Sequence, residues 1–215
     1  RFGMELIKLN DTVQGCSFDV FNKALETGGD VRGICVPGGA SEFSRKKIDK
    51  LVEECKHYGA KGLVWIKNED AITSSVGKFF TEEELKNILE VCGAEKGDMV
   101  FIVSDKSKVV FDTLGFLRRK VAGLMGMLDD NDFKFLWVVD FPMFEEDEEG
   151  RIKAMHHPFT QPKPEELYKL EQGDILGLNA NAYDIVLNGV ELGGGSVRIH
   201  DRHLQARMFD VLGLT

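Results

Sequence analysis

The sequence predicts an α+β protein, in which an α/β unit precedes part of an antiparallel sheet with flanking helices. Helical and strand patterns alternate over about the first 110 residues. In roughly the last ninety residues, apolar strand-like runs are joined by a strong hairpin signal. The hydrophobic share of 43% and the charged share of 29% are those of an ordinary folded protein.

The α/β unit is predicted from two amphipathic helices and three apolar strands. Apolar residues recur at helical spacing in 44–58, with Ser44 as the expected N-cap. The helix at 81–93 begins with a capping-box pattern, Thr81 followed three residues later by Glu84. The predicted strands are the short apolar runs 31–36, 62–66 and 99–103.

A further helix is predicted from Ser107 to about Met127, with an apolar face. Three adjacent basic residues, 118–120, lie on it. A run of this kind is more often a solvated surface than an RNA contact, and both interpretations stay open.

The C-terminal part is predicted to contain antiparallel strands and a closing helix. Residues 135–144 form a continuous apolar run, interpreted as one strand. The runs 183–187 and 190–200 flank Asn188-Gly189, a dipeptide that tolerates the positive φ angles of a type I′ turn. A β-hairpin is therefore expected there.

Charge and cysteine content restrict the class of protein. The net charge of -9 argues against nonspecific coating of nucleic acid, DNA included. The apolar runs are all shorter than the roughly 20 residues of a membrane span, and no signal peptide is visible at the N-terminus.

The four cysteines are widely spaced, which favours free thiols and a cytoplasmic location over disulfides or a metal site. The first residue is Arg1 rather than Met, so we expect a piece of a longer protein.

Five ionisable residues are the candidates for chemistry. Arg198 stands between apolar neighbours on a strand and could hold a carboxylate through two parallel hydrogen bonds. Asp184 and Glu191 flank the hairpin turn and could hold a hydrated Mg²⁺ through carboxylate oxygens. One of the adjacent histidines, His156 or His157, could donate a hydrogen bond to an anion near neutral pH. For Arg198, Asp184 and Glu191, solvent exposure on a strand is the competing interpretation.

The separation of Glu191 and Arg198 carries a specific expectation. Seven residues is an odd separation, so a regular strand would place the two side chains on opposite faces. A β-bulge at the glycine triplet 193–195 would add one residue and return them to the same face. Ser196 lies nearby, but there is no nucleophile with an attendant base, so binding two anionic reactants fits better than hydrolysis.

Several long segments, in order, resemble bacterial aspartyl-tRNA synthetases. The catalytic domain of that family is similar to FPMFEEDEEGRIKAMHHPFTQP and to NAYDIVLNGVELGGGSVRIHDRHLQARMFDVLG. The family's inserted GAD domain, also found in some tRNA-dependent amidotransferase subunits, is similar to VPGGAS, YGAKGLVWIK and GDMVFIV. The expected organisation is therefore a junction at 1–17, a GAD-like insertion domain at 18–111, and part of a class II catalytic domain at 112–215.

The resemblance implies a function and roles for the candidate residues. The family activates L-aspartate with ATP to aspartyl-adenylate and then transfers the aspartyl group to the 3′ end of tRNA(Asp), and in some relatives of tRNA(Asn). The resemblance implies that His156 and Arg198 bind aspartate, that Glu191 binds ATP and Mg²⁺, and that Asp184 is a neighbour of the metal. A homodimeric parent protein is also implied.

Other segments of the family are missing from these 215 residues. They include the anticodon-reading β-barrel, the motif 2 segment and the GxDR signature of motif 3. We therefore expect no adenylate synthesis by this chain alone. The alternative is a non-catalytic GAD-containing module that binds RNA or protein, as part of an amidotransferase would.

Overall fold

The computed structural model describes residues 3–129, 131–147 and 149–214. The chain divides into two compact units, one of residues 2–129 and one of residues 130–215. In the described ranges, no helix is long and apolar enough to cross a membrane. The cysteines Cys16, Cys35, Cys55 and Cys92 are all free thiols, and burial raises the pKa of Cys55 and Cys92 to about 12.

The first unit is built on a five-stranded antiparallel sheet. In sheet order, the strands are β1, β2, β5, β3 and β4. Their bounds are β1 Ile7–Lys8, β2 Asp30–Val36, β3 Val64–Lys67, β4 Thr73–Ser74 and β5 Met99–Asp105. The helices are α1 Asn10–Val13, α2 Asp19–Glu26, α3 Gly39–Glu42, α4 Arg45–Lys56, α5 Glu82–Val91 and α6 Ser107–Leu124, with a 3-10 turn at Gly77–Phe79.

Local capping explains where the two predicted helices begin. The Ser44 hydroxyl accepts a hydrogen bond from the Lys47 backbone N–H and so starts α4. At α5, Thr81 accepts from the Glu84 N–H, while the Glu84 carboxylate accepts from the Thr81 N–H at 2.7 Å. These reciprocal bonds satisfy backbone donors that no helical carbonyl could reach. Both helix predictions are confirmed.

The core of the first unit lies on both faces of the sheet. Along β5, Met99, Phe101 and Val103 belong to one apolar cluster, and Val100 and Ile102 belong to the other. Helices α4 and α6 cover the first face, and helices α1, α2 and α5 cover the second. The alternation follows from the two-residue period of a strand. The central strand is therefore buried on both sides.

Helix α6 crosses the expected domain boundary at 111/112. It runs from Ser107 to Leu124, and Leu114, Leu117 and Val121 are fully buried in the core of the first unit. An apolar helix face that packs on a sheet cannot be divided without exposing that face. The compact units separate between residues 129 and 130. The expected junction at 1–17 includes β1, which pairs with β2 in the first unit.

The second unit contains a three-stranded antiparallel sheet, in the order β10, β9, β6, and a separate hairpin of β7 and β8. The strands are β6 Phe135–Val138, β7 Phe144–Glu146, β8 Ile152–Ala154, β9 Ala182–Leu187 and β10 Val190–Ser196. The helices are α7 Leu167–Gln172 and α8 Arg202–Leu212, with a 3-10 turn at Pro164–Glu166. Antiparallel sheets with helices agree with the predicted α+β class.

The predicted hairpin is present, but the predicted single strand at 135–144 is wrong. Asn188 and Gly189 both have positive φ, 51° and 87°, as a type I′ turn requires. The apolar run at 135–144 instead breaks after Val138, because Asp140 has a φ of 60° and Pro142 has no N–H for a ladder. Two short strands in different sheets, β6 and β7, result.

Candidate functional site

The four predicted site residues line one pocket in the second unit. The pocket has a volume of about 420 Å³. Its lining residues are His156, His157, Thr160, Ala182, Asp184, Glu191, Gly194, Gly195, Ser196 and Arg198. Residues far apart in the sequence are brought together here by the β9–β10 hairpin and by the loop that follows β8.

A β-bulge explains how Glu191 and Arg198 reach the same pocket. Glu191 pairs with Val186 and Gly193 pairs with Ile185, so Leu192 is the extra residue of β10. Glu191 shares the face of Val186 and therefore of Asp184, and the extra residue puts Gly194, Ser196 and hence Arg198 on that same face. The expected bulge is present. It lies at Leu192, one residue before the glycine triplet to which the sequence analysis assigned it.

The glycines of β10 make room for side chains of β9. Gly194 pairs with Asp184 and Gly195 with Tyr183. A Cβ on Gly194 would overlap the Asp184 carboxylate, and a Cβ on Gly195 would lie 2.8 Å from the Tyr183 hydroxyl. Adjacent strand residues face opposite sides, so Asp184 crosses β10 on the pocket side and Tyr183 crosses it on the other side. The floor of the pocket is therefore bare backbone with a carboxylate beside it.

The loop 156–162 holds two more pocket residues next to Arg198. Thr160 forms an isolated antiparallel bridge with Arg198. On either side of this bridge, the Gln161 N–H donates to the Val197 carbonyl at 2.8 Å, and the Ile199 N–H donates to the Phe159 carbonyl at 2.9 Å. The loop thus continues the sheet past the end of β10.

The two histidines of the loop are oriented by different contacts. The His156 ring meets the Phe141 ring edge-on, with centroids 4.9 Å apart. The Phe159 N–H lies 3.1 Å from His157 Nδ1 and donates to it when the ring is neutral. In that form, the His157 proton is on Nε2. Both imidazoles line the pocket, so both candidate histidines of the sequence analysis lie there, although the resemblance assigns a role only to His156.

Thr160 is a pocket residue that the sequence analysis missed. It is only 1% exposed, and its hydroxyl has no hydrogen-bond partner among the described residues. A buried hydroxyl without a partner is costly, so a ligand or a water molecule is the expected partner. Nothing in the local sequence marks this threonine, because its position depends on the long-range bridge to Arg198.

The carboxylates of the pocket fit a magnesium ion that is shared with phosphates. Asp184 and Glu191 lie on one face of the hairpin and line the same pocket. Within the described ranges, there is no group of three or more His, Cys, Asp or Glu residues that could hold a metal alone. Mg²⁺ is usually held by one or two carboxylates, with phosphates and water as its other ligands. The two carboxylates of Asp184 and Glu191 match this pattern of magnesium ligands.

Comparison with known proteins identifies the relatives of this chain. Residues 21–114 match the GAD domain family model. The whole chain is 53% identical to the aspartate–tRNA(Asp/Asn) ligase of Caldanaerobacter subterraneus subsp. tengcongensis, and it covers 36% of that protein. It is 51% identical to the aspartate–tRNA ligase of Halalkalibacterium halodurans and 50% identical to that of Clostridium perfringens, again over 36% of each relative.

The chain is similar to aspartate–tRNA ligases along its entire length. The resemblance inferred from the sequence is thus confirmed, and it includes a GAD domain. The pocket residues lie after the GAD match, in a region that only the ligase comparisons cover. The chain spans about a third of the length of these relatives, 36% in each of the three.

Proposed function

We propose that this chain supplies part of the aspartate and ATP site of an aspartate–tRNA ligase. The observation that carries the proposal is the shared pocket of Arg198, His156, Glu191 and Asp184, which His157 also lines. One guanidinium, two carboxylates and two imidazoles can bind an amino acid and a metal-bound nucleotide together. Similarity to aspartate–tRNA ligases over the whole chain supports the assignment.

Arg198 is proposed to bind a carboxylate of aspartate, with His156 beside it. A guanidinium offers two parallel N–H donors that match a carboxylate, and a lysine does not. Glu191 and Asp184 would hold Mg²⁺, which would neutralise part of the charge on the ATP phosphates when bound. The protein's contribution is to hold two anionic reactants side by side and thus to favour attack of the aspartate carboxylate on the α-phosphate, with pyrophosphate as the leaving group.

The partners proposed for the whole protein follow from the same relatives. They are L-aspartate, ATP, tRNA(Asp) and, if the parent resembles the Asp/Asn relatives, tRNA(Asn), with a second copy in a homodimer. The cytoplasm is the proposed location, since four free thiols suit a reducing compartment.

Binding of adenylate analogues to the 215-residue chain tests this proposal. We expect a non-hydrolysable aspartyl-adenylate analogue to bind in a calorimetric titration, and an asparaginyl analogue to bind roughly tenfold more weakly. Arg198→Lys should remove most of this preference. Arg202→Lys, at an exposed arginine outside the pocket, should keep it. Equal affinities for both analogues in the wild-type chain would contradict the role of Arg198.

The competing function is a binding module that acts without catalysis, as in a GAD-containing amidotransferase subunit. The GAD match over residues 21–114 favours it, but the pocket lies outside that match. A binding module would ignore both adenylate analogues. ATP–pyrophosphate exchange by the 215 residues alone is expected at background in either case, because motifs 2 and 3 of the family are not among them.

A further inference from the structure

A second, larger hollow lies in the first unit, far in sequence from the proposed aspartate site. Its volume is about 720 Å³. It is bordered by α2, by the 3-10 turn at Gly77–Phe79, and by residues at the start of β3 and the end of β5. Such a volume is typical of small-molecule sites, which are concave and mostly apolar.

The floor of the hollow is apolar and partly aromatic. Phe18 and Phe79 lie in it with their ring centroids 5.1 Å apart, together with Val64, Val76 and Ile102. Val20 lines the same hollow and is 49% exposed. Part of this apolar surface therefore stays in contact with water, which an apolar ligand would displace.

The rim of the hollow is strongly cationic, although the chain has a net charge of -9. Lys23, Lys61, Lys78 and Lys106 line it, and among the described residues Asp105 is the only acidic one that does. Asp105 is paired with Lys61 at 3.4 Å. In the part of the chain that the structure describes, no carboxylate lies within ion-pair distance of Lys23, Lys78 or Lys106.

Like charges that surround one hollow repel each other, and this repulsion is relieved when an anion binds. The Lys78 ammonium also lies over the Phe79 ring, 4.7 Å from its centroid, so cation and aromatic surface are adjacent. A ligand that satisfies both parts needs a flat apolar body and an anionic group. The concave shape suits a small molecule better than a polymer.

We propose that this hollow binds a small aromatic anion, whose ring system contacts Phe18 and Phe79 and whose carboxylate or phosphate is held by the rim lysines. The site belongs to the GAD-matching region and is independent of the aspartate and ATP assignment. Failure of one proposal therefore leaves the other intact.

The proposal is tested by NMR titration of the ¹⁵N-labelled 215-residue chain. The probes are 2-naphthyl phosphate and 2-naphthoate, which carry the two anionic groups on the same ring system. We expect at least one of them to shift amide signals of the hollow, those of Val76 and Phe79 included. Neutral 2-naphthol and inorganic phosphate should each bind at least about tenfold more weakly than the better anionic probe, because each offers only half of the interaction.

Charge reversal identifies the rim residues. Lys23→Glu and Lys78→Glu should each weaken binding of the better probe by about tenfold. Lys46→Glu, at an exposed lysine of α4 outside the hollow, should leave it unchanged. The proposal is overturned if neither anionic probe binds, or if naphthol or phosphate alone binds equally well. It is also overturned if the two rim variants bind the better probe like the wild type. An RNA oligonucleotide is titrated as well, and the proposal fails if only this oligonucleotide shifts the amide signals of the hollow.

Discussion

The Asp184 carboxylate occupies the space that a side chain on Gly194 would fill. The two residues are direct partners across the β9–β10 ladder, on the face that lines the proposed aspartate and ATP pocket. The carboxylate therefore lies against bare backbone. This close approach determines where one of the two proposed magnesium ligands can be.

Gly194→Ala should displace the Asp184 carboxylate. The new Cβ would overlap that carboxylate and would lie 2.9 Å from the Tyr183 carbonyl oxygen, so the hairpin must shift at a cost of about 1–3 kcal/mol. We expect a lower melting temperature and weaker binding of Mg²⁺-ATP. Gly193→Ala is the matched control, because a Cβ there would have no neighbour within 4 Å. If both variants bind Mg²⁺-ATP like the wild type, the position of Asp184 is irrelevant to the site.

The bulge at Leu192 predicts opposite results for a deletion and an insertion. Deleting Leu192 leaves Glu191 opposite Val186 and Gly193 opposite Ile185, so Glu191 and Arg198 keep their common face. Inserting one alanine after Leu192 adds a second extra residue and, if the single bulge is retained, turns Arg198 to the face opposite Glu191, because the register is counted from the Asn188-Gly189 turn. In titrations with the aspartyl-adenylate analogue, we expect the deletion to stay within about threefold of wild-type affinity and the insertion to lose roughly tenfold. Loss of affinity in the deletion alone would contradict this account.

Thr160→Val should separate ligand binding from stability. The substitution removes a buried hydroxyl that has no protein partner among the described residues, so thermal stability should be unchanged or slightly raised. If the hydroxyl contacts the ligand, affinity for the adenylate analogue should fall by about tenfold. Thr160→Ser keeps the hydroxyl and should bind like the wild type. Unchanged affinity in the valine variant would remove Thr160 from the binding site.

Glu166 makes the stability of the second unit depend on acid pH. Its carboxylate accepts the Asn179 backbone N–H at 2.9 Å and the Asn179 side-chain amide at 3.0 Å, and it pairs with Lys169 at 3.0 Å. These contacts, the Asn179 side-chain bond first, lower the pKa of Glu166 from 4.5 to about 2. A lowered pKa in the folded state stabilises the protein above the unfolded pKa, and this stabilisation is lost as pH falls toward the folded value.

Glu166→Gln should therefore lower the free energy of unfolding at pH 7 by about 1–3 kcal/mol. The change is measured as a lower midpoint of urea unfolding. Because the unfolded chain takes up a proton at Glu166 below the ordinary pKa of 4.5 while the folded chain still holds the carboxylate, the difference between the two proteins should narrow from pH 4.5 to pH 3. Glu165→Gln, at the exposed neighbour, should change neither the midpoint nor its pH dependence. A difference that stays constant with pH would mean that the charge of Glu166 is not responsible.

Local signals were enough to predict the helices and the hairpin turn. Helices α4 and α5 begin where Ser44 and Thr81 predict, because capping bonds join residues only three positions apart. The strand at 135–144 could not be predicted correctly from its hydrophobicity. The positive φ of Asp140, where the Asp140 and Lys163 side chains form an ion pair, and the missing N–H of Pro142 separate β6 from β7.

The site was predictable to the extent that it depends on strand periodicity. The odd separation of Glu191 and Arg198 requires one extra residue for a common face, and the structure contains it. Its position at Leu192 depends on the register of the hairpin, which is counted from the Asn188-Gly189 turn rather than from the glycines. Thr160 depends on pairing between two distant segments, 159–161 and 197–199, and no local pattern indicates that pairing.

Helix α6 has a practical consequence for anyone who wishes to study the first unit by itself. Both the expected boundary at 111 and the end of the GAD match at 114 fall within this helix. A polypeptide cut at either place would lose Leu117, Val121 and Ala122, all three completely shielded from solvent, and would leave their apolar neighbours open to water. Aggregation of such a truncated piece would then report on the cut rather than on the domain, whereas a terminus at Asp129 keeps the helix whole.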